Sequence, residues 1–333
     1  MQALAAEPAP ERIETFSARA LGSSLRLQVR LPGSPLDAVG DAWAGDAAGA
    51  AWDEVRSEFV AVDLALSRFR ADSELCALNR TAGTGNVVRV SWRLREALAA
   101  MHRAGRITGG RFDPSVTDVL ERLGEHGASQ GSDVPMPAFE LEGPRLVRAP
   151  ATPLDTGGIG KGLALRWAAR RASGVLPLDA CFLLDAGGDI VAAGEPPAGG
   201  WRVGIEDPVA ADGADDAEAE PIAVIALFDG AIATSSVKVR NWTSPDGRAV
   251  HHLVDPRTRE PARTGLIAVT VAGPDPAWAE VWTKALFLAG RSEIGAEARS
   301  RGLAAWWIAD DGSIGMTPAG RERSVWAAET RLG

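Results

Sequence analysis

The chain has 333 residues, 46% of them hydrophobic and 24% charged, which is enough to bury a large core. Its formal net charge of −9 at pH 7 argues against broad nucleic-acid binding, because a duplex needs a basic footprint. A local basic pocket for a small anion stays open.

The opening stretch, MQALAAEPAPER, has early charges, no basic region and no long apolar run. Residues 1–12 read as a loose tail, with neither a secretory leader nor a lipid anchor. No segment approaches a membrane span, and the expected location is the cytoplasm. Residues 24–31, SLRLQVRL, alternate apolar with polar and predict a half-buried strand. Residues 50–66 carry Trp52, Val55, Phe59, Val62 and Leu66 near one helical face. LSRFRADSELCALN then reads as a helix end, a turn and a short helix capped by Ser73. Cys76 in that stretch, like Cys181 further on, has apolar neighbours. Both read as core thiols rather than a disulfide, and with four histidines they show no zinc spacing.

Ser91 is placed to cap a helix running to about Ile107, stopped by Gly109-Gly110. In GGRFDPSV, Asp113 reads as a cap for whatever follows Pro114. Residues 124–138 are loop-like, and the GASQG within them matches a nucleophile pattern. It has no strand entering it and no helix leaving, so the match reads as chance.

A short strand is expected to lead into LDTGGIGKGLAL, and a helix to leave it and run to about Ala172. The stretch is not a phosphate-binding P-loop: Asp155 stands where the first glycine belongs, and Gly162 where a metal-binding hydroxyl belongs. It is not a dinucleotide fingerprint either, since Leu163 stands at the third glycine position. Two readings remain. The glycines and the helix N-terminus can cradle an anion with Lys161 as a point charge, or the turn is structural and the lysine solvated.

CFLLDAGGDIVAAG and WRVGI predict three strands. Residues 206–220 are acidic and poor in large apolar groups, and read as a solvated loop inserted between strands. IAVIALF and LIAVTVA predict further strands, and Lys238 and Arg240 are expected to alternate along another. HHLVDPRTREP places two histidines before an Asp-Pro turn, which makes them candidates for proton transfer. Asp275-Pro276 starts a helix that Gly290 ends, another begins near Ser292, and LAAWWIA with SIGMT forms a terminal hairpin. Strands and helices mix without regular alternation. The predicted class is therefore α+β, a single unit over residues 13–333 with mixed or antiparallel sheets and packed helices.

In this order, LSRF…SELCALN, GGRFDPSV, DTGGIGKG, DAGGDI, ATSS, HHLVDPRTREP and AEVWTKALFLAG resemble the ApbE family of FAD:protein FMN transferases, across about residues 20–290. The resemblance implies a T-fold-related unit that binds FAD with Mg²⁺, moves FMN onto a threonine or serine of an acceptor flavoprotein, and releases AMP. It implies that Gly157 to Gly162 approach the pyrophosphate with Lys161 beside it, and that the carbonyl of Gly160 contacts the metal. It implies that His252 helps deprotonate the incoming hydroxyl with Asp255 beside it. Arg111, Phe112, Asp113, Asp155, Gly157, Gly158 and Leu253 match segments that hold FAD, and Leu21 and Phe69 match positions near the flavin.

Three departures from the family pattern stand out. Glu280 and Lys284 occupy positions where an aspartate and a hydroxyl would ligate the metal, so either Glu280 still binds Mg²⁺ or the Lys284 ammonium takes its place. ATSS ends in Ser236 and runs on into Val237-Lys238-Val239-Arg240. Arg259 stands where a glycine is usual. Two other functions fit the same residues: an FAD-binding protein without transferase activity, and a hydrolase that splits FAD into FMN and AMP.

Overall fold

The computed structural model describes residues 12–31, 37–125, 141–208 and 220–328, with the side chains of residues 37–45 excepted. GASQG lies wholly outside these residues, as does most of the acidic stretch.

The first part of the chain contains β1 (Arg12–Ala20), β2 (Ser23–Leu31), α1 (Asp37–Leu66), α2 (Glu74–Asn79), β3 (Val87–Arg89), α3 (Trp92–Ile107), α4 (Thr117–Arg122) and β4 (Leu146–Arg148). The middle contains α5 (Gly160–Ser173), β5 (Cys181–Ala186), β6 (Asp189–Gly194), β7 (Trp201–Ile205), β8 (Ala223–Leu227) and β9 (Gly230–Ser236). Short strands follow: β10 (Asn241–Thr243), β11 (Ala249–His251), β12 (Val254–Asp255) and β13 (Glu260–Pro261). The chain continues with β14 (Leu266–Gly273), α6 (Pro276–Ala289), α7 (Ile294–Ser300), β15 (Ala304–Ala309), β16 (Ile314–Met316), α8 (Pro318–Arg323) and β17 (Ser324–Ala327).

One antiparallel sheet runs in the order β1-β2-β5-β6-β9-β14-β15-β16, and a smaller one in the order β17-β8-β7. Alternation along the strands divides the large sheet's side chains between two layers. Phe182, Leu184, Val191 and Ala231 face α1, α3 and α5, and Val269 and Val271 face α6 and α7. Cys181, Leu183, Ile190, Ala192, Ile232 and Trp306 face the other way, against the small sheet. This double covering explains why the central strands read as nearly continuous apolar runs. Both cysteines are buried thiols, not joined in a disulfide. No helix among the described residues is long and apolar enough to cross a membrane.

Four expectations need correction. Arg12 is not in a tail: it opens β1, whose nine residues pair with β2 from Arg12↔Leu31 to Ala20↔Ser23. That strand is at the sheet edge and only half-buried, so its charged residues weaken the alternation that marks β2. Leu154 does not lie in a strand. It is clasped by the Asn79 side chain, whose amide donates to Leu154 O and whose Oδ1 accepts from Leu154 N, each at 2.9 Å. Lys238 and Arg240 lie in the turn after β9, not on a strand, with Lys238 N–H capped by Ser236 Oγ at 3.1 Å. The predicted terminal hairpin is β15–β16, but α8 and β17 follow it.

Candidate active site

The glycine loop is placed by the crossing of α5 and α6. A Cβ on Gly162 would stand 2.5 Å from Ala277 Cα and 2.6 Å from Pro276 O, so only glycine lets the two helices meet there. The closeness has a polar consequence. No side chain of its own segment caps α5. Instead Glu280, from α6, accepts the Gly162 N–H at 2.8 Å and puts a carboxylate at the positive end of α5. Glu280 is buried, which pushes its carboxyl up, and Lys284 is the largest influence pulling it back down.

Lys161 turns to β6. Its Nζ lies 2.6 Å from Oδ2 of Asp189, which is itself buried. Burial works against the charged lysine, but Asp189 first and Glu280 second outweigh it and hold the ammonium above its ordinary value. Lys161 therefore staples the loop to the sheet, and it is not among the residues lining the nearby cleft.

The opposite side of α6 is closed. Thr283 Oγ donates to Glu280 O at 2.7 Å, since a carbonyl only accepts, and Ser235 Oγ then donates to Thr283 at 2.7 Å. Lys284, one turn beyond Glu280, approaches Glu280 Oε1 at 3.3 Å and lines the cleft. These residues do not fit a divalent cation. One carboxylate oxygen of Glu280 takes a backbone N–H, the other faces an ammonium, and the threonine hydroxyl points away. No group of three or more His, Cys, Asp or Glu side chains among the described residues could hold a metal.

An open cleft lies beside this helix crossing. Its walls bring together five sequence-distant pieces: Arg111 to Pro114; Asp155, Gly157 and Gly158 of the glycine loop; Arg240; His252 to Val254; and Lys284 of α6. Phe112 packs so closely on Gly158 that a Cβ there would meet its ring at 2.7 Å.

His252 Nδ1 lies 3.2 Å from Arg240 O. A carbonyl only accepts, so Nδ1 carries the proton and Nε2 keeps its lone pair. Burial, then Arg240 and Lys284, depress the His252 imidazole to about 3, so it is neutral at pH 7. Its neighbour His251 is fully engaged: Nε2 donates to Ala262 O at 3.1 Å, and Nδ1 accepts the Leu253 N–H at 3.3 Å.

Other expected residues are less central. Asp113 does not cap α4; its Oδ1 accepts from Ser115 N at 2.8 Å and Ser115 Oγ at 2.6 Å, closing a turn at the cleft wall. Arg111 lines the cleft and pairs with Glu297 at 3.5 Å. Gly160 is the first residue of α5 and does not line the cleft. Asp255 is not the partner of His252. Its carboxylate binds Arg257 at 2.8 Å, which holds it below the usual carboxylate range, and it lines a separate hollow with Arg257 and Arg291. Leu21, at the β1–β2 turn with φ 49°, and the exposed Phe69 stand outside the cleft wall.

One residue went unnoticed in the sequence. Arg68 is buried, ion-pairs with Glu125 and lies 3.4 Å from Asp155, so it supports two carboxylates of the cleft from below. It lies in the LSRF block, but a buried arginine has no signature in a single sequence.

Known proteins resemble this chain in sequence and in fold. The ApbE family model matches residues 21–307. The FAD:protein FMN transferase of Rhodobacter capsulatus is 29% identical over 273 residues, which are 76% of this chain and 49% of that protein. The matched region thus spans about half the length of that relative. The FAD:protein FMN transferase of Salmonella typhimurium is 26% identical over 284 residues, 78% of this chain and 77% of that protein. In structure, the ApbE protein of Thermotoga maritima superposes with a TM-score of 0.76 at 24% identity, covering 95% of this chain and all of that one. The Pseudomonas stutzeri flavinyl transferase ApbE, apo form, gives 0.74 at 24% identity, covering 96% and 98%. These proteins share the antiparallel α+β architecture found here. With most of its length matched, this chain belongs to the ApbE family.

Proposed function

We propose that this chain is an FAD:protein FMN transferase, which moves the FMN half of FAD onto a threonine or serine of an acceptor flavoprotein. The observation that carries the reading is His252, with Nδ1 tied to a backbone carbonyl and Nε2 left as an acceptor in a cleft that Arg240 and Lys284 also line. The acceptor hydroxyl oxygen attacks the phosphorus of the FMN half, and its proton passes to His252 Nε2. The bond from that phosphorus to the bridging oxygen breaks, and AMP leaves with the oxygen. FAD carrying two negative charges thus gives a phosphodiester with one, AMP with two, and one proton.

A free imidazole held near 3 is a weak base. Two of the influences that depress it are the positive charges of Arg240 and Lys284. A bound diphosphate offsets both, so His252 becomes more basic in the complex that needs it. Gly157 and Gly158 let the chain approach the ligand, while Phe112 gives the flavin half an apolar wall. Lys161, Asp155 and Asp255 hold the loops in place. The residues around Glu280 do not fit a divalent ion, so no step runs through one.

The test is incubation with FAD and a threonine-containing acceptor protein, reading acid-stable flavin on the acceptor and AMP in solution. Equal AMP and bound flavin is the expected result. AMP with free FMN identifies a hydrolase, and intact FAD identifies a binding protein. Loss of transfer in His252→Ala with FAD binding retained supports the base; transfer at the parent rate removes it.

A further inference from the structure

Two of this chain's departures from its family pattern, Lys284 and Arg240, come from separate segments yet meet at one place. Both line the cleft, and both act electrostatically on His252 between them. The lysine is loosely held. Lys284 Nζ stands 3.3 Å from Glu280 Oε1 and 3.5 Å from Glu280 O, longer than the roughly 2.7–2.9 Å of a committed charge-assisted bond. Glu280 meanwhile is fixed by the Gly162 N–H and cannot follow the lysine into the cleft. Arg240 is held by an ion pair with Glu125 and keeps 44% of its side chain exposed. Lys284 is therefore free to turn toward an anion in the cleft, while Arg240 offers its guanidinium from a fixed position.

The chemistry of the residues points the same way. Lys284 lies against Glu280 and Arg240 against Glu125, so each brings a cationic residue to the cleft wall with a carboxylate behind it. An ammonium also needs no cage of oxygen ligands, which the residues here do not form.

We infer that this chain holds the diphosphate of its nucleotide with the side-chain cations Lys284 and Arg240 in place of a divalent metal, so that FAD binding and FMN transfer are independent of Mg²⁺. This inference rests on the FAD-transferase reading. The lysine stabilises charge on the departing AMP phosphate as the bridging bond breaks, a role open to any fixed cation at that point.

The experiment measures FAD affinity by flavin fluorescence quenching, and FMN transfer to the acceptor, in excess EDTA and in added MgCl₂. For the parent protein both values should agree within about twofold between the two conditions, the scatter of repeated affinity measurements. Lys284→Thr should weaken FAD binding in EDTA about 10- to 100-fold, the worth of one charge-assisted hydrogen bond, and MgCl₂ should restore part of the loss. Arg240→Ala should lose a similar factor that MgCl₂ does not restore. Circular dichroism of each variant confirms folding. Loss of parent FAD binding in EDTA, with rescue by MgCl₂, overturns the inference, as does a Lys284→Thr protein with parent affinity in EDTA. Transfer that occurs only with MgCl₂ also overturns the inference, whereas metal-independent FAD binding with no transfer under either condition leaves the Lys284–Arg240 site standing and removes the transferase reading. Failure to bind FAD under every condition removes both.

Discussion

Gly162→Ala puts the helix crossing at the centre of the site to a quantitative test. The new Cβ would stand 2.5 Å from Ala277 Cα, 2.6 Å from Pro276 O and 2.7 Å from Ala277 N, whereas ordinary contact begins at 3.4 Å. All three atoms are backbone, so no rotamer change relieves the clash, and α5 and α6 must part by about 1 Å. Overpacking of this kind costs about 1–3 kcal/mol. The same displacement stretches the 2.8 Å bond from Gly162 N to Glu280 beyond hydrogen-bond range. Losing a buried bond to a carboxylate adds about 1.5–3 kcal/mol. The expected total is about 3–5 kcal/mol of stability, after allowing for some relaxation. Equilibrium urea unfolding of the FAD-free protein reads it as a lower midpoint at unchanged slope. Gly273→Ala is the control, because its Cβ would meet nothing within 4 Å. A Gly162→Ala protein within about 1 kcal/mol of the parent would refute the close crossing and the capping role of Glu280 together.

Lys161→Met leaves the buried Asp189 without its partner. Because a third of the lysine side chain is exposed, the loss should be about 2–3 kcal/mol, below the 3–5 of a wholly buried pair; Asp189→Asn in the same chain should recover part of it, and urea unfolding of both variants decides. Arg259 has a φ of 54° and an ion pair with Asp118, so Arg259→Gly should be more stable than Arg259→Ala by about 1 kcal/mol, the cost of left-handed backbone in a residue with a Cβ; equal chemical denaturation midpoints would remove the strain argument. The His252 imidazole is depressed from 6.5 to about 3, so between those values the unfolded chain binds the proton and the folded one does not. Folding stability contributed by its neutral form is present above 6.5 and lost as pH falls toward 3. His252→Asn should therefore flatten the acid side of the stability–pH curve, and a curve parallel to the parent's would contradict the depressed imidazole.

The long buried strands and the capped helices were legible in the sequence because their signals are local. Ser73 and Ser91 cap the helices that they precede, and Asp275-Pro276 opens α6 with Asp275 accepting two backbone N–H groups. The edge strand β1 was not legible, since half-burial leaves its charged residues mixed with apolar ones. Nor was the start of α1, where alanines and glycines give no apolar stripe to read. Arg259 read as standing where a glycine is expected, and its left-handed backbone is the conformation that glycine adopts without strain.

What the sequence determined by itself was the set of chemical groups and the order of their segments: the glycine turn, the paired histidines, and the Glu280–Lys284 spacing that puts both on one helix face. What only the tertiary structure decided was each group's partner. Lys161 of the opening glycine turn points to Asp189, Glu280 caps a helix that it does not belong to, Asp255 turns to Arg257, and Arg240 joins Lys284 beside His252. The reason is physical. Propensities, caps and periodicities act within a few residues of the chain, whereas an ion pair or a catalytic hydrogen bond depends on distances set by how the helices and the sheet pack.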